Sequence, residues 1–592
     1  PQSMTVTGLV PETTYYFAIK TSDEVPNTSE LSNVAVQHTT VTSAPGDPSI
    51  HYMSAKAGPN SGWDSSTIRG AAITIWATGT GSSRGNSYVS VGNVDLKSNS
   101  DYAEWGSNTN PETVKHFRRI TFWLNSQIPE GNTEISLTVN GIKSNSLPFR
   151  IDNTGNIYFL SLHGDDNNDG KHVTDQGSGK GPWKNFGKTA DKLGPGDFLY
   201  MEGGEYTEIN ESSSAKRYEY IGTLWGTEDP INGTDALRIT VTSYPGEMAV
   251  FKNVGIRIAN SDYWTFANLK WDGADDRVSL SMGAERSFCE KTDSANSDHS
   301  VGLSAIGIEF TGNIYHAIHS YGDDFRIVAN NFNNLNPNYD KKGYTGYILY
   351  LSSGKNMIVK DNEFSGGSMY AIHAYDEDRP SCADIGRVSK DWIIEGNWFN
   401  ASDVGQGYRS AIIIGAGKGG VTPSVRNITI KNNVIYTDGT ATGGGIRIYG
   451  GDEKGIQIYN NTFYGFPVGV AIDYGTTDNV DDVFIKNNIF SNISGVDIDN
   501  NRTYPFNLEA SNNLYDKTPS FDRASDASPI TGDPQFVSIS NLDFHLQPGS
   551  PAIDTGISLP DVSSDYDGNF RPIDGNGDGK ARYDVGAYEA NE

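Results

Sequence analysis

The stretch Val483–Phe490, VFIKNNIF, comes back along the chain at short intervals. It reads IQIYNNTF at Ile456–Phe463 and ITIKNNVI at Ile428–Ile435. Looser copies are WIIEGNWF (Trp392–Phe399), MIVKDNEF (Met357–Phe364), RIVANNFN (Arg326–Asn333) and LEASNNLY (Leu508–Tyr515). Aligning the second polar position gives the row Asn331, Asn362, Asn397, Asn433, Asn461, Asn488, Asn513, with steps of 31, 35, 36, 28, 27 and 25 residues. Each copy is a short alternating apolar run, the pattern of a strand. Strands at this period with no helical segment between them predict a solenoid whose coils stack at roughly 4.8 Å. Inward Ile, Val and Phe would form apolar columns. Asn at the corners would bond backbone that no ladder satisfies, adopt left-handed geometry and pass amide hydrogen bonds between coils. These seven Asn residues read as scaffold and not as catalysts.

Bulk composition narrows the field. The chain has 592 residues, too many for one globular core but natural for a solenoid with appended modules. With 45 Lys+Arg against 73 Asp+Glu the net charge is −28, which argues against nucleic-acid or anionic-membrane partners. A polyanionic substrate would then need a basic groove or a bound cation. The 66 glycines and 36% hydrophobic residues suit a turn-rich β protein. No run approaches the ~18 apolar residues of a membrane span. Two cysteines, Cys289 and Cys382, could form one disulfide but do not fix the compartment. The chain opens in mid-pattern without an initiator Met or signal peptide, and reads as a piece of something longer.

Four regions follow. Residues 1–42 contain Leu9, Pro11, Thr13, Tyr15 and Phe17, then LSN, and resemble the last strands of a fibronectin type III domain. Either the rest of that half domain is lost, or a neighbouring chain or self-association completes it. Residues 43–152, with ITIWATG (Ile73–Gly79), IPEGNTEISLTVNG and SNSLPFRI, resemble the immunoglobulin-like IPT/TIG module, which implies a spacer or stalk. Residues 153–530 form the solenoid. They open with GDDNNDGK and then Pro182, Trp183, Lys184, Lys188, Ala190, Leu193, Pro195, Gly196, Asp197, Tyr200, Gly204 and Tyr206. These resemble the opening cap of the pectate-lyase-like right-handed β-helix superfamily, with a short amphipathic helix plugging the apolar end. That superfamily holds polysaccharide lyases, glycoside hydrolases, epimerases, phage tailspikes and adhesins. Residues 531–592, DPQF…DFHLQPGSPAIDTG…DVGAYE, resemble the terminal segment of bacterial extracellular β-helix proteins. The resemblance implies a secreted or cell-surface protein and a cap over the last coil. The expected fold class is all-β: a right-handed parallel β-helix with N-terminal immunoglobulin-like β-sandwich modules.

A second repeat points to the working face: GIRIAN, AIHSYG, ILYLSS, AIHAYD, AIIIGA, GIRIYG and VAIDYG. Period two sends one residue inward and the next outward. The outward set is Arg257, His319, Tyr350, His373, Ile413, Arg447, then Ala471 or Asp473. Two residues on come Tyr321, Tyr375, Tyr449 and Tyr474. Aromatic faces stack on sugars, Arg forks a carboxylate, and His exchanges protons near neutral pH. The alternative reading of the Tyr row is a cross-strand stack that stabilises the sheet. For a lyase acting on a uronic-acid glycan, His319 or His373 is the base, Tyr350 or Tyr375 the proton donor, and Arg447 or Arg257 the carboxylate clamp. A hydrolase would need two carboxylates, with Asp473 and Asp376 the nearest. The insertions 276–304 and 376–390 each carry one cysteine, and Asp376, Glu377 and Asp378 sit beside His373; they read as an acid pair, a metal site or a solvated turn. The other reading of the chain is non-catalytic: a filament, sheath or adhesin subunit.

Two loops have calcium spacing. Asp165, Asn167, Asp169, Gly170 and Lys171, with Asp175, match Asp574, Asn576, Asp578, Gly579 and Lys580, with Asp584. Oxygens at positions 1, 3 and 5, Gly at 6 and a carbonyl at 7 can wrap Ca²⁺. Position 12 departs from an EF-hand, being Gln176 and Val585. The alternative is an Asx-turn loop. Calcium here would be structural.

Overall fold

The computed structural model describes residues 14–17, 35–38 and, from 46 to 590, all but 109–116, 210–217, 223–229, 275–277, 284–299, 336–346, 353, 366–369, 377–388, 403–409, 417–424, 450–452, 474–480, 503–506 and 560. Three long parallel sheets run through residues 157–531, so the chain is a parallel β-helix. Its coils take the right hand that parallel crossovers favour. Sheet A runs from Ile157–Leu160 to Leu508–Ser511, sheet B from Gly204–Tyr206 to Ile530–Thr531, and sheet C from Tyr218–Gly222 to Phe521–Asp522. The one-turn helix Phe186–Ala190 buries Phe186 and Ala190 in the solenoid core.

The repeat sets the core. Ile428 and Ile430, Ile456 and Ile458, and Val483 and Ile485 stack in register and are fully buried. Rings also stack coil on coil: Phe332 on Phe364 at 4.9 Å, Phe364 on Phe399 at 4.8 Å and Phe463 on Phe490 at 5.0 Å. These spacings equal the strand-to-strand rise.

The Asn row is a continuous hydrogen-bond ladder. Asn362 Nδ2 donates to Asn397 Oδ1 at 3.0 Å and to the Ile327 carbonyl at 2.8 Å, while its Oδ1 accepts the N–H and the Nδ2 of Asn330. The pattern repeats through Asn397, Asn433, Asn461, Asn488 and Asn513. Two corrections follow. The first rung is Asn330, not Asn331, because Arg326 pairs with Ile358 and so Asn330 falls opposite Asn362. Nor do the ladder residues take the left-handed geometry: the residues just before them do, at Ala329, Asp361, Gly396, Asn432, Asn460, Asn487 and Asn512. That turn aims the following amide along the stack.

Residues 49–151 form two mainly antiparallel sheets, of four and five strands, that share a core around Ile73, Phe122, Ile135 and Leu137. This sandwich is docked on the solenoid, not held off as a stalk. Trp76 is fully buried with Ala267, Ile306 and Val328, Tyr52 donates to Asp361, and Tyr200 exchanges hydrogen bonds with the Ala72 backbone. Thr14–Phe17 and Ala35–His38 pair antiparallel; the rest of the expected fibronectin-like segment lies outside the described residues.

The tail is corrected likewise. Its described contacts run along the flank of the coils. Phe544, Tyr566, Val585 and Ala587 pack on Trp398, Val434, Ile489 and Leu514 of sheet B. The corner residues Asn432, Asn460 and Asn487 donate to the carbonyls of Ser564, Asp584 and Ile557. Arg571, fully buried, ties Glu589 and the Gly586 carbonyl.

Candidate functional site

On sheet C the inward residues Ile318, Leu349, Ile372, Ile412 and Ile446 are fully buried, so their neighbours stand on the outer face. The register joins Arg257, Ser281, His319, Tyr350, His373, Ile413, Arg447, Ala471 and Asp499 into one column. A second column holds Tyr321, Ser352, Tyr375, Gly415 and Tyr449. A third, not singled out in the sequence, holds His316, Tyr347, Tyr370 and Ser410.

These columns meet in one aromatic cluster over three coils. His319 stacks on Tyr350 at 5.0 Å, and Tyr350 lies 5.1 Å from His373. Tyr347 meets His373 edge-on at 4.5 Å and Tyr375 lies 4.9 Å from the same ring. His316 stacks on Tyr350 at 5.2 Å, and its Nδ1 lies 3.0 Å from the Tyr347 carbonyl oxygen. His319 and Tyr321 are buried, a correction to the expected solvent-facing row; Tyr370 is buried too, while Tyr347, Tyr350, His373 and Tyr375 are half-buried. Proton-exchanging groups therefore sit among flat apolar faces, a surface suited to a sugar ring.

The expected clamps are set apart from this cluster. Arg447 is two coils beyond His373, and Arg257 two coils before His319, roughly 10 Å each at strand spacing. Arg447 is ion-paired with Asp473 and lies over the exposed ring of Tyr449. Asp473 follows its strand and leaves Ala471 in the column. Farther on, burial raises the pKa of Asp499, with Asp522 and Asp473 adding to the rise. The side chains of Asp376, Glu377 and Asp378, together with Tyr474, Cys289 and Cys382, lie outside the described residues.

The calcium-spaced loops are tight polar turns. Asp574 accepts the N–H groups of Asp578 and Gly579 at 3.1 and 2.7 Å, and Asn576 Oδ1 accepts Asp578 N–H at 2.9 Å. Asp165 takes Asn167 N–H, Asp169 takes Lys171 N–H and Asp175 takes Gly177 N–H. Asp584 is turned inward and fully buried, its two oxygens held by the N–H groups of Asp554 and Ala590 at 2.7 and 2.6 Å, so its carboxylate serves the fold. Among the described residues no three Asp, Glu, His or Cys side chains converge as a ligand group. Nor is any described helix long and apolar enough to cross a membrane.

No protein-family model and no curated protein matches the chain. Among solved structures, the chain is similar to pectate lyase Pel9A at 16% identity and TM-score 0.41, over 74% of this chain and 96% of that one. It is similar to XylC, solved in complex with xylose, at 10% identity and TM-score 0.42, over 73% and 98%. It is also similar to a mannuronic acid specific polysaccharide family 6 lyase from human gut microbiota, at 14% identity and TM-score 0.36, over 56% and 78%.

Proposed function

We propose that the chain is a secreted polysaccharide-active β-helix protein that holds a uronic-acid glycan on the outer face of sheet C and cleaves it by β-elimination. The observation that supports this is the in-register trio His319, Tyr350 and His373, with rings about one coil apart. In the proposed reaction, neutral His373 takes the proton alpha to the uronate carboxyl. The electron pair forms the ring double bond, and the glycosidic oxygen leaves with a proton from the Tyr350 hydroxyl. His319, when protonated, offsets the uronate charge, a role for which Arg447, two coils beyond His373 and paired with Asp473, is too far away. Tyr347 and Tyr375 flank His373 as sugar platforms.

The test is ultraviolet absorbance of the purified chain with a panel of uronic-acid polysaccharides. A rise marks the unsaturated product, and it should vanish in His373→Ala and fall at least ~100-fold in Tyr350→Phe. A flat trace, with no new reducing ends on neutral glycans, rejects catalysis and favours the structural-subunit reading.

Calcium belongs to the same proposal as a structural ion, with Asp574, Asn576, Asp578 and the Lys580 carbonyl as the donor set, and Asp165, Asn167, Asp169 and the Lys171 carbonyl as its counterpart. A calcium-dependent rise in Tm that Asp574→Asn abolishes would support the first set; equal Tm values in calcium and chelator would reject both.

A further inference from the structure

A groove of about 760 Å³ lies between the docked sandwich and the outer face of sheet A. That is the size of a small-ligand site. Thr265, Ser304 and Arg326, in register on successive coils, form its floor. Met53, Leu147 and Phe149 of the sandwich give it an apolar wall, and the half-exposed Lys56 and the buried Arg238 also line it.

The charge of this groove runs against that of the chain. It is lined by four cations, Lys56, Arg150, Arg238 and Arg326, and two acids, Glu134 and Asp235, in a protein of net charge −28. Asp235 is shared by Lys56 at 2.7 Å and Arg238 at 3.1 Å, and Arg150 is held by Asp152 at 2.9 Å. Arg326 is different. It is half-buried, and among the described residues no hydrogen bond or ion pair engages its guanidinium. Beside it Ser304 Oγ accepts from Arg238 Nη1 at 3.1 Å, which leaves its own O–H to donate.

A partly desolvated guanidinium next to a hydroxyl fits a carboxylate, which can take both N–H groups of the fork. The apolar wall suits a ligand with a C–H face, and the volume exceeds what a bare inorganic anion fills.

We propose that this groove is a second binding site, separate from sheet C, for an acidic saccharide whose carboxylate is gripped by Arg326. Its identity as a sugar rests on the polysaccharide reading; its anionic character rests on the groove alone. The sandwich then acts as one wall of a binding site.

The experiment is calorimetric titration of the full chain, in the His373→Ala background to prevent turnover, with a galacturonic acid disaccharide, its neutral galactose counterpart and inorganic sulfate. Arg326→Gln, checked for an unchanged Tm, should weaken uronate binding at least tenfold, and Arg326→Lys should fall between the two. Equal uronate affinity in Arg326→Gln and the parent overturns the site. Sulfate bound as tightly as the disaccharide, with the same dependence on Arg326, overturns the sugar assignment. Arg326-dependent uronate binding, with no cleavage of any panel polysaccharide by the chain that keeps His373, would sink the sheet C lyase reading and leave this site standing.

Discussion

Asn513 Nδ2 donates to Asp526 Oδ2 at 2.7 Å, and there the amide ladder ends on a carboxylate. Every rung from Asn330 onward donates in the same direction, so the last one needs a partner that only accepts. Asp526 also takes the Asn513 N–H and the Tyr515 hydroxyl. Asp526→Ala should therefore strand three buried donors and cost about 2–4 kcal/mol, whereas Asp526→Asn keeps one acceptor oxygen and should lose less. Denaturant titration would show this order; equal stability of the two variants would reject the terminator role.

The ladder was legible because two adjacent polar residues break each apolar run. Its first rung was misread because RIVANNFN offers two Asn side by side, and the left-handed corner residue there, Ala329, carries no polar signature. The sheet C columns through His319 and Tyr321 followed from strand period alone. The column of His316, Tyr347 and Tyr370 has no signature in the sequence because the same position in later coils is Ser410, Gly444 and Val468, so no repeat marks it. Docking of the sandwich and the lateral course of the tail depend on complementary surfaces distant in sequence, such as Trp76 over Gly307, which no local pattern encodes.

That contact makes Gly307 a test of docking. Its φ is +60°, and an added Cβ would lie 2.3 Å from the buried Trp76 ring. Gly307→Ala combines backbone strain with a clash that neither partner can relieve in place. Hydrogen exchange should rise in Arg69–Thr78 and Ser304–Ile306 while the Ile428–Ile485 core stays protected. Unchanged exchange at Arg69–Thr78 would mean the sandwich does not depend on this contact.

In the tail, His545 is bracketed by Asp543 at 2.6 Å and Asp567 at 2.7 Å, with its ring 4.1 Å from Tyr588. Burial alone would lower its pKa. The hydrogen bond and charge of Asp567, then those of Asp543, outweigh it and raise the pKa to about 9. The folded value exceeds the unfolded one of about 6.5, so the stabilisation is complete below that pH and is lost as pH rises through about 9. The Tm gap between the parent and His545→Gln should be widest at pH 6 and closed by pH 10. A gap constant across that range would show that the imidazolium contributes nothing.

Two tyrosines of sheet C stand in different relations to His373. Tyr347 touches Tyr350 at 5.5 Å and His373 at 4.5 Å, whereas Tyr449 stands two coils beyond Tyr375 beside the Arg447–Asp473 pair. If chemistry occurs at His373, removing Tyr347 strips both orientation and a stacking face from the reacting sugar. Tyr347→Ala should then lower kcat/KM at least tenfold, with kcat itself reduced, on short and long substrates alike. Tyr449 could touch only a sugar farther along the chain, so Tyr449→Ala should raise KM a few-fold on polymers and leave short oligosaccharides unaffected. Initial rates on a length series separate these outcomes. A larger loss from Tyr449→Ala would move the reacting centre toward Arg447 and Asp473, and with it the choice of base and acid.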